Sequence, residues 1–306
     1  MDMKPDLSVK IGDLELKNPV MMASGTFGYG EEYSGVIDLE KLGAIVVKAV
    51  TVNPTLGNRP PRIWEVTGGM LNSIGLQNEG LEYFIEKKVP FLRELNVPII
   101  VNIAGSTVKE YKDLAVRLNE IPEISAFEIN ISCPNVKEGG MQFGTDPKWT
   151  NTVVKNVCDV TKKTVITKLS PNVTDVVKIA EAARDGGSDA VSLVNTFKAM
   201  AIDVKKRRPV LSTVTGGLSG PCIKPIAVRM VWEVASKLGI PVIGMGGIAN
   251  AEDALEFMIA GATAVQIGTM TFVDPVTGMN VISGIEKYLR EENIGNVKEI
   301  IKSLKL

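Results

Sequence analysis

The chain of 306 residues contains no histidine. Histidine is the side chain most often used for proton transfer near neutral pH, so an enzyme with this sequence must use cysteine, lysine, tyrosine or a carboxylate instead. Cysteine is scarce too: Cys133, Cys158 and Cys222 show no CxxC spacing. This scarcity excludes a disulfide framework and a cysteine-ligated cluster, and it predicts a reducing, cytoplasmic environment.

Long apolar runs and net charge are also missing. No uninterrupted apolar stretch approaches the roughly 20 residues needed to span a membrane, and residues 1–6 lack the apolar core of a signal peptide. The formal net charge is −1, and the tightest basic cluster, 205–208, favours an exposed loop over a nucleic-acid surface. No acidic residues cluster with metal-ligand spacing, so we expect no bound metal. The missing apolar run and the near-zero net charge likewise predict no membrane and no nucleic-acid partner.

Short β-branched apolar runs recur with helical segments between them, which is typical of a parallel α/β protein. Eight such units in roughly 250 residues predict one domain, 1–306, folded as a TIM (β/α)8 barrel. A doubly wound sheet is the alternative, but residues 24–28 do not supply its G-x-G-x-x-G fingerprint after the first strand. The predicted strands are 19–23, 44–50, 98–103, 126–131, 164–169, 190–194, 241–245 and 264–267. The predicted helices are 37–42, 81–95, 107–120, 148–162, 173–186, 223–238, 251–260 and one or two within 278–304.

Segments outside these units also carry predictions. Residues 7–11 and 14–16 flank Gly12-Asp13 and predict a short N-terminal hairpin that caps the closed bottom of the barrel. Three connections are much longer than the usual few residues, and long loops at the C-terminal face of a barrel build substrate sites. They are 51–80, 132–147 and 195–222.

Cys133 is the first candidate for chemistry. It lies in the run 130–135 (NISCPN), directly after an apolar strand and shortly before Gly139-Gly140. A thiol at a strand end is a candidate base or nucleophile. The alternative is a buried packing cysteine, because free cysteine often behaves as a small hydrophobe. Position alone does not decide between the two.

The last two predicted strands end in glycine, at 244–247 (GMGG) and at Gly268-Thr269. Glycines there let backbone N–H groups approach an anion, and these two loops form the common phosphate site of a barrel. Tight barrel geometry alone can also explain the glycines. A phosphate site does not by itself indicate a flavin, since sugar-phosphate isomerases use the same device.

Polar or cationic side chains end the other predicted strands, where core-filling residues are otherwise expected. One buried lysine can be a satisfied ion without function. Two lysines and three asparagines converging on one barrel mouth instead suit a planar, carbonyl-rich, anionic ligand. The set is Lys48, Asn102, Asn130, Lys168, Asn195 and Thr196.

Over nearly its whole length, the sequence resembles the class 1 dihydroorotate dehydrogenases, which are FMN-containing barrels of pyrimidine biosynthesis. The resemblance is carried by 130–135 (NISCPN), 72–78 (NSIGLQN), 244–248 (GMGGI) and Asn195-Thr196. The loop 137–147 (KEGGMQFGTDP) is similar to that of the NAD-linked subclass 1B and lacks the continuation found in the fumarate-using homodimers. The membrane-bound quinone-using class typically has serine in place of Cys133.

The resemblance implies oxidation of dihydroorotate to orotate, with Cys133 abstracting the C5 proton while FMN accepts the C6 hydride. Lys48 and Lys168 would stabilise negative charge on the reduced flavin. The implied FMN-binding residues are Ser24, Lys48, Ala49, Asn102, Asn130, Lys168, Val194, Gly220, Gly246, Gly247, Gly268 and Thr269. The implied substrate-binding residues are Lys48, Asn72, Ser73, Ile74, Gly75, Leu76, Asn130, Asn195 and Thr196.

The resemblance also implies a partner subunit that carries FAD and a [2Fe–2S] cluster and passes electrons to NAD. A homodimer core within a heterotetramer is the corresponding assembly. Three scattered cysteines and no histidine fall short of the four ligands that such a cluster needs, so this chain would hold FMN alone.

Other functions remain open. The same reaction in a fumarate-using homodimer is one, and a tRNA-dihydrouridine synthase is another, although net charge −1 and no spare domain weigh against it. A flavin-free sugar-phosphate barrel and a non-catalytic electron-transfer or scaffold subunit are the remaining alternatives.

Overall fold

The computed structural model describes residues 4–132 and 143–306. The strands within them are β1 (Val9–Ile11), β2 (Leu14–Leu16), β3 (Val20–Met22), β4 (Ala44–Val50), β5 (Ile63–Val66), β6 (Gly69–Asn72), β7 (Ile99–Ile103), β8 (Ile124–Asn130), β9 (Thr164–Lys168), β10 (Ala190–Leu193), β11 (Phe197–Ala199), β12 (Ile202–Asp203), β13 (Arg208–Pro209), β14 (Gly216–Ser219), β15 (Val242–Met245) and β16 (Ala264–Ile267). The α-helices are α1 (Ser24–Phe27), α2 (Leu81–Tyr83), α3 (Val89–Arg93), α4 (Val108–Asn119), α5 (Pro147–Cys158), α6 (Val176–Asp185), α7 (Lys224–Lys237), α8 (Ala251–Ala260), α9 (Met270–Val273) and α10 (Thr277–Glu291).

Eight strands close into a barrel, in the order β3-β4-β7-β8-β9-β10-β15-β16 and back to β3. Every neighbouring pair in the barrel is parallel. The strands read as apolar runs because side chains fill the interior on one face while helices cover the other. The predicted TIM barrel and its eight strands are confirmed.

The N-terminal hairpin of β1 and β2 is antiparallel and turns at Gly12, whose φ is +57°. A Cβ at Gly12 would lie 2.9 Å from the Cβ of Asp189, and the Asp13 N–H donates to Thr164 Oγ1 at 3.2 Å. Thr164 opens β9 and Asp189 precedes β10. The hairpin therefore covers the bottom of the barrel, as predicted.

Amphipathic helices surround the barrel. In α4, for example, Tyr111, Leu114, Ala115 and Leu118 are buried, which is the spacing of one helix face. Two predicted helices differ in form. A π-helical turn over Phe84–Lys88 interrupts 81–95, because Pro90 cannot donate to the Glu86 carbonyl, and 37–42 contains only the 3-10 turn Leu39–Lys41. Within the described ranges no helix is long and apolar enough to cross a bilayer.

An accessory antiparallel sheet, in the order β11-β14-β6-β5, was not predicted from the sequence. It is built from two of the long loops, 51–80 and 195–222. A separate two-stranded sheet of β12 and β13 is formed by the residues between β11 and β14. Asn72 on β6 pairs with both Ile63 on β5 and Gly217 on β14. Residues of this sheet line the cavity at the barrel mouth, so the loops form an ordered roof over it.

Candidate active site

A cavity of about 600 Å³ lies between the C-terminal ends of the barrel strands and the accessory sheet. This size suits a cofactor or small-molecule site, and the C-terminal face is where barrels place such sites. Most of the residues predicted from the sequence line it together. They are Ser24, Lys48, Ala49, Asn72, Ser73, Ile74, Gly75, Leu76, Asn130, Lys168, Val194, Asn195, Thr196, Gly220, Gly246, Gly247, Gly268 and Thr269.

Glycines form a cradle at one end of the cavity. Gly246, Gly247 and Gly220 have φ values of +122°, +89° and +104°, which L side chains rarely adopt. A Cβ at Gly247 would lie 2.8 Å from the Cβ and 2.9 Å from the backbone nitrogen of Lys224. Only glycine fits there, so backbone N–H groups can approach an anion closely.

Lys48 is placed by an irregularity in its strand. The pairing of β4 with β7 shifts register between Val47 and Val50, and the Lys48 backbone N–H donates to the Gly28 carbonyl at 2.7 Å. A β-bulge at this position re-aims the side chain. Among the described residues, none forms a hydrogen bond or ion pair with the Lys48 ammonium group. Lys48 thus brings a positive charge to the cavity that remains available for an anionic ligand.

Lys168, in contrast, has a counter-ion. Its side chain is buried, with its ammonium nitrogen 3.5 Å from Glu128 Oε1 and 3.5 Å from Ser24 Oγ. The two lysines therefore differ electrostatically, because Glu128 balances the charge of Lys168 inside the barrel and no residue of 4–132 or 143–306 balances that of Lys48.

Glu128 is a residue that the sequence analysis missed. It lies in the middle of β8, is fully buried, and accepts hydrogen bonds from Asn102 Nδ2 at 2.6 Å, Ser192 Oγ at 2.9 Å and Gln266 Nε2 at 2.9 Å. Alternation along a strand places Glu128 and Asn130 on the same face. A charged residue two positions before Asn130 in an apolar strand was the available signal.

Asn102 lies just beneath the cavity wall, and its binding of FMN stays a prediction. It is fully buried and does not line the cavity, because its amide is engaged by Glu128 in the layer below the strand ends. Its link to the cavity is indirect, through Asn130 Nδ2, which lies 3.4 Å from Asn102 Oδ1.

The asparagines at the other end of the cavity are held by local hydrogen bonds. Ser132 Oγ donates to Asn130 Oδ1 at 2.8 Å, and Asn195 Nδ2 donates to Ser132 Oγ. The Thr196 N–H donates to Asn195 Oδ1 at 2.9 Å, and Asn72 Nδ2 lies 3.4 Å from the Gly217 carbonyl. These bonds fix the three side-chain amides around one space.

The segment 73–76 is shaped by residues that the sequence analysis did not single out. The Asn58 N–H donates to the Ile74 carbonyl at 3.0 Å, and the Asn58 side chain donates to the Ser73 carbonyl at 2.9 Å. Gly75 has a φ of +76°, and a Cβ there would lie 2.9 Å from the Asn58 backbone nitrogen. Arg62 adds a hydrogen bond to Gln77. The 73–76 backbone is therefore rigidly presented to the cavity.

Cys133 lies outside the described residues. Ser132, the residue before it, lines the cavity. The strand β8 thus leads directly from the buried Glu128 to the cavity wall and then to the position of the predicted base.

Known proteins are similar to this chain over almost its whole length. The family model of dihydroorotate dehydrogenase matches residues 6–289. A relative from Geobacter metallireducens is 59% identical over 303 residues, covering 99% of both chains. Relatives from Geobacter sulfurreducens and Pelobacter propionicus are 59% and 55% identical, again with 99% of both chains covered. All three are named dihydroorotate dehydrogenase B (NAD(+)), catalytic subunit. The chain belongs to the dihydroorotate dehydrogenase family.

Proposed function

We propose that this chain is the catalytic subunit of an NAD-linked dihydroorotate dehydrogenase, which oxidises dihydroorotate to orotate in pyrimidine biosynthesis. The relatives that bear this name match essentially the whole chain. The observation that carries the proposal is the presence, in one cavity, of a glycine cradle, three hydrogen-bonded asparagines and Lys48, which has no counter-ion among the described residues.

The donor set fits FMN. Gly246, Gly247, Gly268 and Thr269 would hold its phosphate, because a Cβ at Gly246 or Gly247 would collide with Ala227 or Lys224 and force the backbone N–H groups out of place. The ring and ribityl chain would lie along Ser24, Ala49, Val194 and Gly220, all of which line the cavity. When bound, FMN supplies the acceptor for the hydride that leaves C6 of the substrate.

The chain's own residues would bind the substrate and move its proton. Asn72, Asn130, Asn195 and Thr196 offer amide and hydroxyl groups to the pyrimidine and its carboxylate, and the backbone of 74–76 borders the same space. Lys48 would pair with the negative charge of the ligand, since it has no counter-ion in the described part of the chain. Cys133 would remove the C5 proton as a thiolate.

The electron acceptor implies a second subunit. The relatives are named as catalytic subunits, which supports a separate electron-transfer partner. We propose that this partner carries FAD and a [2Fe–2S] cluster, because three cysteines without histidine cannot ligate such a cluster in this chain. A homodimer of this chain would form the core of the heterotetramer.

Anaerobic mixing of the purified chain with dihydroorotate tests the proposal. We expect FMN to co-purify and to be bleached by dihydroorotate. NAD should reoxidise it only when the partner subunit is added, whereas fumarate and quinone should act poorly. A preparation without flavin would contradict the cofactor assignment. Fast reoxidation by fumarate without a partner would instead favour the fumarate-using homodimer.

A further inference from the structure

The Glu128 carboxylate accepts hydrogen bonds from side chains on three other barrel strands and forms an ion pair with a side chain on a fourth. Asn102 on β7, Ser192 on β10 and Gln266 on β16 donate to it at 2.6 to 2.9 Å, and the Lys168 ammonium lies 3.5 Å away. Gln266 turns its amide nitrogen toward Glu128 even though its own oxygen has no hydrogen-bond partner among the described residues. The carboxylate therefore determines the orientation of the groups around it.

A directed chain of hydrogen bonds connects Glu128 with the cavity. Asn195 donates to Ser132, Ser132 to Asn130, Asn130 to Asn102, and Asn102 to Glu128. Every donor in this chain points toward the carboxylate.

The direction follows from the chemistry of its end point. An ionised carboxylate only accepts hydrogen bonds, so Asn102 must turn Nδ2 toward Glu128 and leave Oδ1 for Asn130. Asn130 must then use Nδ2 for Asn102 and Oδ1 for Ser132. Asn130 and Asn195, which line the cavity, each keep a second N–H for a ligand. The side chains of Asn130 and Asn195 therefore offer hydrogen-bond donors to a ligand in the cavity.

From this geometry we infer that Glu128 is a positioning residue of the active site, acting as the counter-ion of Lys168 and as the acceptor that orients the Asn102–Asn130 amide chain. It does not touch the cavity itself. The inference deepens the proposed function and rests on FMN binding beside Lys168.

The charge role is tested with Glu128→Gln in the FMN-loaded protein. Glutamine keeps an oxygen for Asn102 but removes the negative charge, so Lys168 should stabilise the reduced, anionic flavin more strongly. We expect the preference for reduced over oxidised FMN to rise about tenfold, which is about 30 mV for a two-electron couple. The same substitution in a Lys168→Met background should have less than a third of that effect.

Ser192→Ala is the matched control, because it removes one hydrogen bond to Glu128 and leaves both charges in place. Its flavin potential should equal that of the wild type, although its unfolding temperature falls. An unchanged potential in Glu128→Gln, or an equal shift in the Lys168→Met background, would overturn the counter-ion role.

The orienting role is tested by comparing Glu128→Gln with Glu128→Leu in orotate titrations followed by the flavin absorbance. Glutamine should leave orotate affinity within threefold, whereas leucine, which cannot accept from Asn102, should weaken it at least tenfold. Equal affinities in a folded Glu128→Leu protein would refute the orienting role. If Glu128→Leu does not fold, Glu128→Gln combined with Asn102→Leu takes its place, because it also removes the hydrogen bond between residues 102 and 128 that ends the series. A wild-type protein that holds no FMN would refute the proposed function itself, which separates the two failures.

Discussion

The Tyr111 hydroxyl donates a hydrogen bond of 2.7 Å to the backbone carbonyl of Asn130. Tyr111 lies on α4 and is almost fully buried, and Asn130 is the last residue of β8. This bond ties a surrounding helix to the point where the chain leaves the barrel toward Cys133. The helix layer therefore helps to fix the end of β8, three residues before Cys133.

Tyr111→Phe should lower the free energy of unfolding by about 1 kcal/mol, because a buried carbonyl loses its donor. It should also slow flavin reduction by dihydroorotate while FMN content stays normal, since the change loosens the end of β8 and leaves the cavity glycines in place. Denaturant unfolding and single-turnover reduction measure the two effects. Tyr83→Phe, at an exposed tyrosine, should change neither. Loss of stability without any change in reduction rate would contradict the link.

Gly247→Ala should abolish FMN retention. The new Cβ would lie 2.8 Å from the Lys224 Cβ at a φ of +89°, so the cradle must distort to admit it. The ratio of flavin to protein absorbance in the purified variant measures the loss. Gly35→Ala is the control, because a Cβ there meets nothing within 4 Å, and it should retain flavin fully. Normal flavin content in Gly247→Ala would place the phosphate elsewhere.

Lys48→Gln should weaken orotate binding by roughly 10- to 100-fold, which corresponds to the about 1.5–3 kcal/mol of a hydrogen bond to a charged group. The half-buried Lys48 charge is available to a ligand, whereas Lys198 also lines the cavity but is exposed and screened by water. Lys198→Gln should accordingly change the orotate dissociation constant by less than threefold. Equal effects of both substitutions would show that Lys48 acts only through the positive electrostatic potential of the cavity and not by pairing directly with orotate.

Cys133→Ala should keep FMN yet lose flavin reduction by dihydroorotate by several orders of magnitude at neutral pH. Cys133→Ser should be slow and should recover as the pH rises, because a serine hydroxyl ionises far less readily than a thiol. Stopped-flow bleaching of the flavin across a pH series measures both. Near-normal reduction in the alanine variant would remove Cys133 from the role of base.

Thiol labelling should distinguish Cys158 from Cys222. Burial raises the pKa of Cys158 to about 12, and nearby Asp189 and Asp159 add to the shift, so its reactive thiolate is scarce at pH 8. Iodoacetamide should therefore modify the exposed Cys222 before Cys158, and the Cys158 rate should keep rising with pH for as long as the protein stays folded. Peptide mass spectrometry of timed samples reads both sites. In denaturant the difference between the two modification rates should disappear. Similar rates at Cys158 and Cys222 in the native protein would contradict the prediction.

The barrel could be predicted because its strands are continuous apolar runs separated by helices of regular length. The accessory sheet could not, because its strands are short and exposed or glycine-rich: Ile63–Val66 is largely exposed, and Gly216–Ser219 begins with two glycines. Neither shows the alternation that predicts a strand. Their pairing depends on contacts between loops more than 100 residues apart in sequence, such as Asn72 with Gly217.

Most of the candidate site could be predicted because polar residues at strand ends converge in any parallel barrel. Asn102 and Glu128 show the limit of that reasoning. Their depth depends on the register Asn102 with Glu128 and Asn130 with Lys168, which fixes which side chains share a layer. Register between strands is a property of the closed barrel rather than of any one strand, so the sequence alone could not show that Asn102 and Glu128 share a layer.

The accessory sheet also has a consequence for how this protein can change over evolution. Its central strands come from different loops, and a one-residue slip between them would turn every side chain on the shifted strand to the opposite face. An insertion within β6 or β14 would therefore displace Asn72 from its place over the cavity. Among relatives that keep the same substrate, the lengths of β6 and β14 should therefore change in a correlated way. The length of the exposed turn between β12 and β13 should vary independently of them.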